Sequence, residues 1–248
     1  MLIQPEWRQQ SREKMPKSEI ITVVFDLDGT LVDTAADMVD ALNETLSLFS
    51  SRRVDRIDIV PLVGGGLASL LVKAYAMLRI DRSSAAVEHD VKHLIERYSE
   101  QPARHAQLYV GVREVLQDLR AEDARLAVCT NKLEPIGASI LSQLGIADMF
   151  NAVVGGAQGR KPKPDPEPLL EAIRKAGGSL QTAVMVGDSE TDVLTARAAG
   201  VPIILVEHGY SSLTLTELKP DRIIASFAEL PLAIREILKL RGPNVLTY

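Results

Sequence analysis

The sequence has little cysteine, few aromatic residues, no excess of positive charge and no long apolar run. Its only cysteine is Cys129, which excludes an intrachain disulfide and leaves nothing to suggest a zinc site. Cys129 closes the apolar run Leu126–Cys129, so a buried structural thiol is expected. With aromatics at 4% of 248 residues and hydrophobic residues at 46%, the core must rest on Val, Ile, Leu and Ala. Lys and Arg number 28 against 33 Asp and Glu, a net charge of -5. That balance argues against a general nucleic-acid binder. An anionic substrate remains compatible with it if a metal and a few basic residues concentrate positive charge locally. No stretch approaches the ~18 apolar residues of a membrane-spanning helix, and the N-terminus lacks the apolar segment of a secretory signal. A soluble cytoplasmic protein with no membrane partner is expected. Residues 1–18 are polar and aperiodic apart from Trp7. Met15 stands as an alternative start, and residues 1–14 are expected to be dispensable.

Six short runs rich in β-branched and aliphatic residues recur: Ile20–Phe25, Leu126–Cys129, Ala152–Val154, Ala183–Val186, Ile203–Val206 and Arg222–Ile224. Most are apolar at nearly every position, as suits a parallel sheet buried on both faces. Helical spacing appears between them, in Val112, Val115, Leu116 and Leu119 and again in Ile136, Ile140, Leu141 and Leu144. Gly145 and Gly200 sit where such helices commonly stop. The expected fold class is α/β, a doubly wound, Rossmann-like parallel sheet. From about Thr34 to Gln107 the alternation breaks. There Leu67, Leu70, Leu71, Ala74 and Leu78 form one helical stripe, and Val87, Val91, Leu94, Ile95 and Tyr98 another. The expected organisation is an N-terminal tail at 1–18, a core made of 19–33 and 108–248, and a helical cap inserted at 34–107.

Ligands of doubly wound sheets bind beyond the carboxyl ends of the strands, and four strand ends carry reactive residue types. The first run leads into Asp26-Leu27-Asp28-Gly29-Thr30. Two carboxylates two residues apart in extended chain point the same way and repel unless a cation or proton separates them. The pair therefore reads as a Mg²⁺ site, the bland alternative being a polar turn. The second run ends in Thr130-Asn131-Lys132, where a hydroxyl and backbone amides are suited to a phosphoryl oxygen, or Thr130 merely caps a helix. After the third comes Arg160-Lys161-Pro162-Lys163-Pro164-Asp165-Pro166. Its prolines could fix a lysine as a point charge against phosphate, or the stretch is a solvated basic loop. The fourth ends in Gly187-Asp188-Ser189-Glu190-Thr191-Asp192. Asp188 stands where a metal ligand would, whereas Ser189 and Asp192 fit a helix capping box. Thr30 and Asp33 have capping-box spacing too. His89 and His93 lie one turn apart but lack a third ligand for a metal.

Together, Asp-Leu-Asp-Gly-Thr at 26–30, Thr130, Lys161 before Pro-x-Pro, and Gly187-Asp188 with Asp192 resemble the ordered motifs of the haloacid dehalogenase superfamily. The resemblance spans about residues 20–240. The insertion resembles that superfamily's C1 cap, and the Phe25–Thr34 segment with Val63-Gly64-Gly65-Gly66 is similar to phosphoglycolate phosphatases. The resemblance implies Asp26 as nucleophile and Asp28 as general acid and base. It implies Mg²⁺ on the Asp26 and Asp188 carboxylates and the Asp28 carbonyl, with Asp192 orienting that shell. Thr130 and Lys161 would grip the phosphoryl group, with Lys163 as the fallback. From the residues themselves, Gly64–Gly66 ahead of a helical stripe could turn backbone amides to an anionic substrate group, or the stretch is a flexible helix–helix connection; Asn131, Gly65 and Gly66 are accordingly candidate substrate contacts. The implied activity is Mg²⁺-dependent hydrolysis of small phosphate monoesters through an aspartyl-phosphate, with 2-phosphoglycolate as first candidate. Sugar and amino-sugar phosphates, pyrophosphate, a phosphosugar mutase and a catalytically silent binding module stay open as alternatives. Among cap residues, Arg52, Arg53, Arg79, Arg82 and Arg104 are candidate anion contacts, the bland alternative for each being a solvated charge on a cap helix.

Overall fold

The computed structural model describes residues 20–211 and 213–241, so the expectations for the N-terminal tail lie outside the described residues. The sheet consists of β1 (Thr22–Phe25), β4 (Arg125–Leu133), β5 (Ala152–Gly156), β6 (Ala183–Gly187), β7 (Ile203–Val206) and β8 (Arg222–Ile224). Its order is β5-β4-β1-β6-β7-β8, with every pair parallel. β1 sits near the middle, flanked by β4 and β6, so the three ends bearing Asp26, Thr130 and Asp188 are neighbours. This is the doubly wound architecture expected from the continuous apolar runs.

Alternation along each strand divides the core between two faces. Val23, Phe25, Leu126, Val128, Val184, Val186, Ile204 and Val206 belong to one apolar cluster. It takes in the stripes of α5 (Val112–Ala121), α6 (Glu134–Gln143) and α9 (Leu230–Arg241). Val24, Ala127, Cys129, Met185, Ile203 and Leu205 point the other way, onto Leu169, Ala172 and Ile173 of α7 (Glu167–Lys175) and Val193 and Ala196 of α8 (Glu190–Ala199). Cys129 is fully buried, and burial pushes its thiol up to about 12, so it packs as the inert group expected.

Two short strands absent from the sequence reading, β2 (Val32–Asp33) and β3 (Gln107–Leu108), pair antiparallel. Between them run α1 (Ala35–Ser47), α2 (Arg56–Ile59), α3 (Gly66–Leu78) and α4 (Ser84–Glu100). Both expected stripes are present. Leu67, Leu70, Leu71 and Ala74 of α3 and Leu94 and Tyr98 of α4 are buried in the same cluster as the α5 face of the sheet. Gly200 ends α8 in the left-handed conformation at φ 67, which glycine adopts without a Cβ penalty. No helix is long and apolar enough to cross a membrane among the described residues.

Candidate active site

β1 delivers Asp26 to the sheet edge, and the chain then coils tightly. The amides of Leu31 and Val32 both donate to the Leu27 carbonyl, and the Gly29 amide donates to the Val32 carbonyl. Gly29 has φ 80, and a Cβ there would stand 2.5 Å from Asp188 Oδ2, so only glycine lets this turn pass beneath Asp188. The turn aims Thr30 Oγ1 at Asp188 Oδ1, 2.9 Å away, while the Tyr210 amide donates to Asp188 Oδ2 at 2.7 Å. No helix starts at Thr30, since Val32 and Asp33 are paired in β2. The capping-box spacing of Thr30 and Asp33 is therefore fortuitous. Asp33 instead accepts from Tyr210 Oη at 2.7 Å and pairs with Arg56 of α2 at 2.8 Å.

The spacing of Ser189 and Asp192 does form a capping box on α8, and Asp192 has a second task. Its Oδ2 accepts from the Asp188 amide at 3.1 Å and the Ser189 hydroxyl at 2.7 Å, while Oδ1 accepts from Lys163 Nζ at 2.7 Å. Lys163 Nζ also lies 3.0 Å from Asp26 Oδ1, which accepts from the Leu27 amide at 2.7 Å. Asp26 Oδ2 makes no hydrogen bond among the described residues.

Lys161 is the principal misplacement. Its side chain is 79% exposed and pairs with Asp165 at 3.2 Å, outside the site. Lys163, with a side chain 2% exposed, occupies the expected position. The cause is Asn131, whose side-chain Oδ1 accepts from the Lys163 amide at 2.7 Å and whose Nδ2 donates to the Lys163 carbonyl at 3.0 Å. That two-point clamp seats residue 163 against β4 and sends its side chain between Asp26 and Asp192. Lysine followed by Pro-x-Pro occurs in two overlapping registers, at 161–164 and 163–166, and the second is the one the fold uses.

The Asn131 side chain is thereby taken up. Nδ2 also donates to the Gly64 carbonyl at 2.8 Å, tying the loop before α3 to β4 and leaving no side-chain amide for a substrate. Gly64 and Gly66 line the cavity above Asp26, but Gly65 does not. A Cβ on Gly65 would meet Ser69 Oγ at 2.6 Å, so it turns into α3, contrary to its expected place at the substrate. The cavity, about 40 Å³, is lined by Asp26, Asp28, Thr130, Lys132 and Asp188 and by the apolar Met38, Val63, Leu67 and Leu70.

Three residues unforeseen in the sequence reading complete the arrangement. Lys132 Nζ lies 3.0 Å from Asp28 Oδ1 and donates to Tyr98 Oη at 2.7 Å. Thr34 Oγ1 donates a short hydrogen bond to the same Asp28 oxygen. Tyr210 Oη accepts from the Thr34 and Ala35 amides. Lys132 adjoins Thr130 and Asn131, a signal that was available. Tyr210 has none, because only the fold brings it to Asp188.

Burial is the main influence on these acids. It pushes Asp26 up to about 7, with Lys163 opposing and the Asp192 and Asp28 charges reinforcing. Asp188 is raised well above the ordinary range by burial and by the Asp192 and Asp26 charges. Burial works against the Lys163 ammonium, but Asp192 and Asp26 outweigh it and hold the group protonated. Ligand oxygens of Asp26, Asp188 and Asp192 all lie within 4.8 Å of one another, and all three residues are buried. One lysine among three such carboxylates leaves a charge deficit that a hard, oxygen-seeking divalent cation fits. Asp192 is already committed to Lys163 and the α8 cap, which leaves Asp26 and Asp188 as the carboxylates open to such an ion.

Residues 23–206 match the family model of haloacid dehalogenase-like hydrolases. A phosphoglycolate phosphatase of Agrobacterium fabrum is 39% identical over 219 residues, covering 88% of this chain and 94% of the relative. One from Mesorhizobium japonicum is 37% identical over 218 residues, covering 87% and 95%. The crystal structure of a predicted phosphoglycolate phosphatase from Haemophilus somnus superposes with a TM-score of 0.79 at 27% identity, covering 87% of this chain and 98% of that one.

Proposed function

The chain belongs to the haloacid dehalogenase-like hydrolase family, and from that premise we propose that it is a magnesium-dependent phosphatase of small phosphate monoesters, 2-phosphoglycolate first among them. The observation that carries this reading is Lys163, buried between Asp26 and Asp192, beside a nucleophile whose Oδ2 is uncommitted. Mg²⁺ would be held by the Asp26 and Asp188 carboxylates and the Asp28 carbonyl. When bound it supplies positive charge that offsets repulsion between the Asp26 carboxylate and a phosphate dianion.

Asp26 Oδ2 forms the bond to phosphorus as the bond from phosphorus to the ester oxygen breaks, and Asp28 gives its proton to that leaving oxygen. Lys163 and the Thr130 hydroxyl hold the transferring phosphoryl oxygens. Water then attacks the aspartyl-phosphate, Asp28 takes the water's proton, and the Asp26 carboxylate is regenerated with phosphate as product. Asp192 acts through others, orienting Lys163 and the backbone before α8. Residues 34–107 serve as a cap over the core made, among the described residues, of 20–33 and 108–241, in a cytoplasmic protein that acts on a small anionic ester and not on nucleic acid. The names of the relatives point to the same substrate.

The test is phosphate release by the purified protein with magnesium, across 2-phosphoglycolate, hexose and amino-sugar phosphates, nucleotides and pyrophosphate. Preference for 2-phosphoglycolate is expected. Preference for another ester would discard the substrate and keep the chemistry.

A further inference from the structure

The lining of the catalytic cavity combines the carboxylates of Asp26, Asp28 and Asp188 with the apolar side chains of Met38, Val63, Leu67 and Leu70. A substrate carrying a second negative group finds no welcome among these residues. The cap arginines do not help, because none of Arg52, Arg53, Arg79, Arg82 and Arg104 lines the cavity. Arg52 is turned to the Leu78 carbonyl, and Arg82 forks onto Asp90 with both contacts at 2.9 Å. Among the cavity-lining residues, Lys132 is the one cation.

Its surroundings are those of a preset recognition group. The side chain is 2% exposed, and its ammonium lies 4.5 Å from the centroid of the Tyr98 ring while donating to the hydroxyl of that tyrosine. An ammonium has three donors. Asp28 and Tyr98 take two, and the third has no protein partner among the described residues. Tyr98 comes from α4 and Lys132 from β4, so the pair stands where the inserted helices meet the sheet edge. Lys163 reaches Asp26 and Lys132 reaches Asp28. Asp26 and Lys132 line the same small cavity, so a phosphoryl group at Asp26 and an anionic group at Lys132 belong to one short molecule.

We propose that Lys132, held by Tyr98, is the specificity-determining residue of this site and receives the carboxylate of a short phosphorylated hydroxy acid. The assignment rests on the phosphatase reading and deepens it, moving substrate selection from the cap arginines to the end of β4. A buried cation at this point selects for an anion and leaves an ester with a methyl group there to be held by its phosphate alone.

The test compares kcat/KM for 2-phosphoglycolate with that for ethyl phosphate, in which a methyl replaces the carboxylate, using the full chain with magnesium. Wild type should prefer 2-phosphoglycolate. Lys132→Met should reduce that preference by about 10- to 100-fold, the loss of one charged hydrogen bond, while ethyl phosphate hydrolysis falls by less. Tyr98→Phe, which keeps the ring and removes the hydroxyl, should reduce the preference in the same direction by several-fold, and decides the matter if Lys132→Met does not fold. Equal loss on both esters would mean that Lys132 acts only through Asp28 or the fold, and would overturn the assignment. A wild type that cleaves both esters equally well would overturn it too. Release from neither ester would instead overturn the phosphatase reading, and the assignment with it.

Discussion

Replacing Lys163 by methionine removes the cation that stands between Asp26 and Asp192 while keeping an unbranched stem in the same space. The ammonium stands 3.0 Å from Asp26 and 2.7 Å from Asp192, with side chains 2%, 11% and 0% exposed respectively. Removing one partner of such a buried pair costs about 3–5 kcal/mol, because the remaining charges are stranded. In a protein of this size each kcal/mol moves the melting temperature by about 2–4 °C, so Lys163→Met should melt about 6–20 °C below wild type in metal-free buffer. Turnover should fall at least ~10²–10³-fold, the usual loss of one group that stabilises transition-state charge. Lys161→Met supplies the contrast, since that side chain is 79% exposed and paired with Asp165. Exposed pairs contribute little, so its melting temperature and turnover should match wild type. Thermal unfolding by circular dichroism and phosphate release with magnesium read both effects. Loss of activity in Lys161→Met with Lys163→Met left active would refute the geometry.

The metal-free protein should lose stability as pH rises from about 4 to about 7. Folding raises Asp26 from 3.8 to about 7 and raises Asp188 as well, so in that window the folded state keeps protons that the unfolded state has released. Magnesium needs these carboxylates ionised, so it should raise the melting temperature more at pH 8 than at pH 5; an equal or larger increment at pH 5 would contradict the assignment. Tyr210→Phe deletes the hydroxyl that accepts from the Thr34 and Ala35 amides at 2.8 and 3.1 Å and donates to Asp33. The Ala35 amide keeps Asp33 Oδ1 at 3.4 Å, but the buried Thr34 amide left unpaired should cost about 1–3 kcal/mol, visible as a lower denaturant midpoint with unchanged slope.

Much of this site could be read before the fold, because its acids sit directly after strands whose apolar runs are unmistakable. β7 and β8 coincide with their runs in the sequence. β4 extends through Leu133, past the expected end, because the register shift between Cys129 and Leu133 lets Leu133 pair again with Gly156. β2 and β3 hold two residues each, too few to show any periodicity. The overlapping lysine motifs are locally equivalent. The choice of Lys163 depends on Asn131, which lies 32 residues away. Tyr210 reaches Asp188 across 22 residues, and no local pattern encodes such a contact. Lys132 was adjacent to residues already singled out, yet its value as a cation is clear only from the cavity around it.

The central claim is that Asp26 is the nucleophile, and Asp26→Asn tests it most directly. Phosphate release from 2-phosphoglycolate with magnesium should fall to the blank, while circular dichroism and the melting curve show an intact fold, since burial already favours an uncharged group at this position. Turnover by a folded Asp26→Asn protein at a substantial fraction of the wild-type rate would contradict the account.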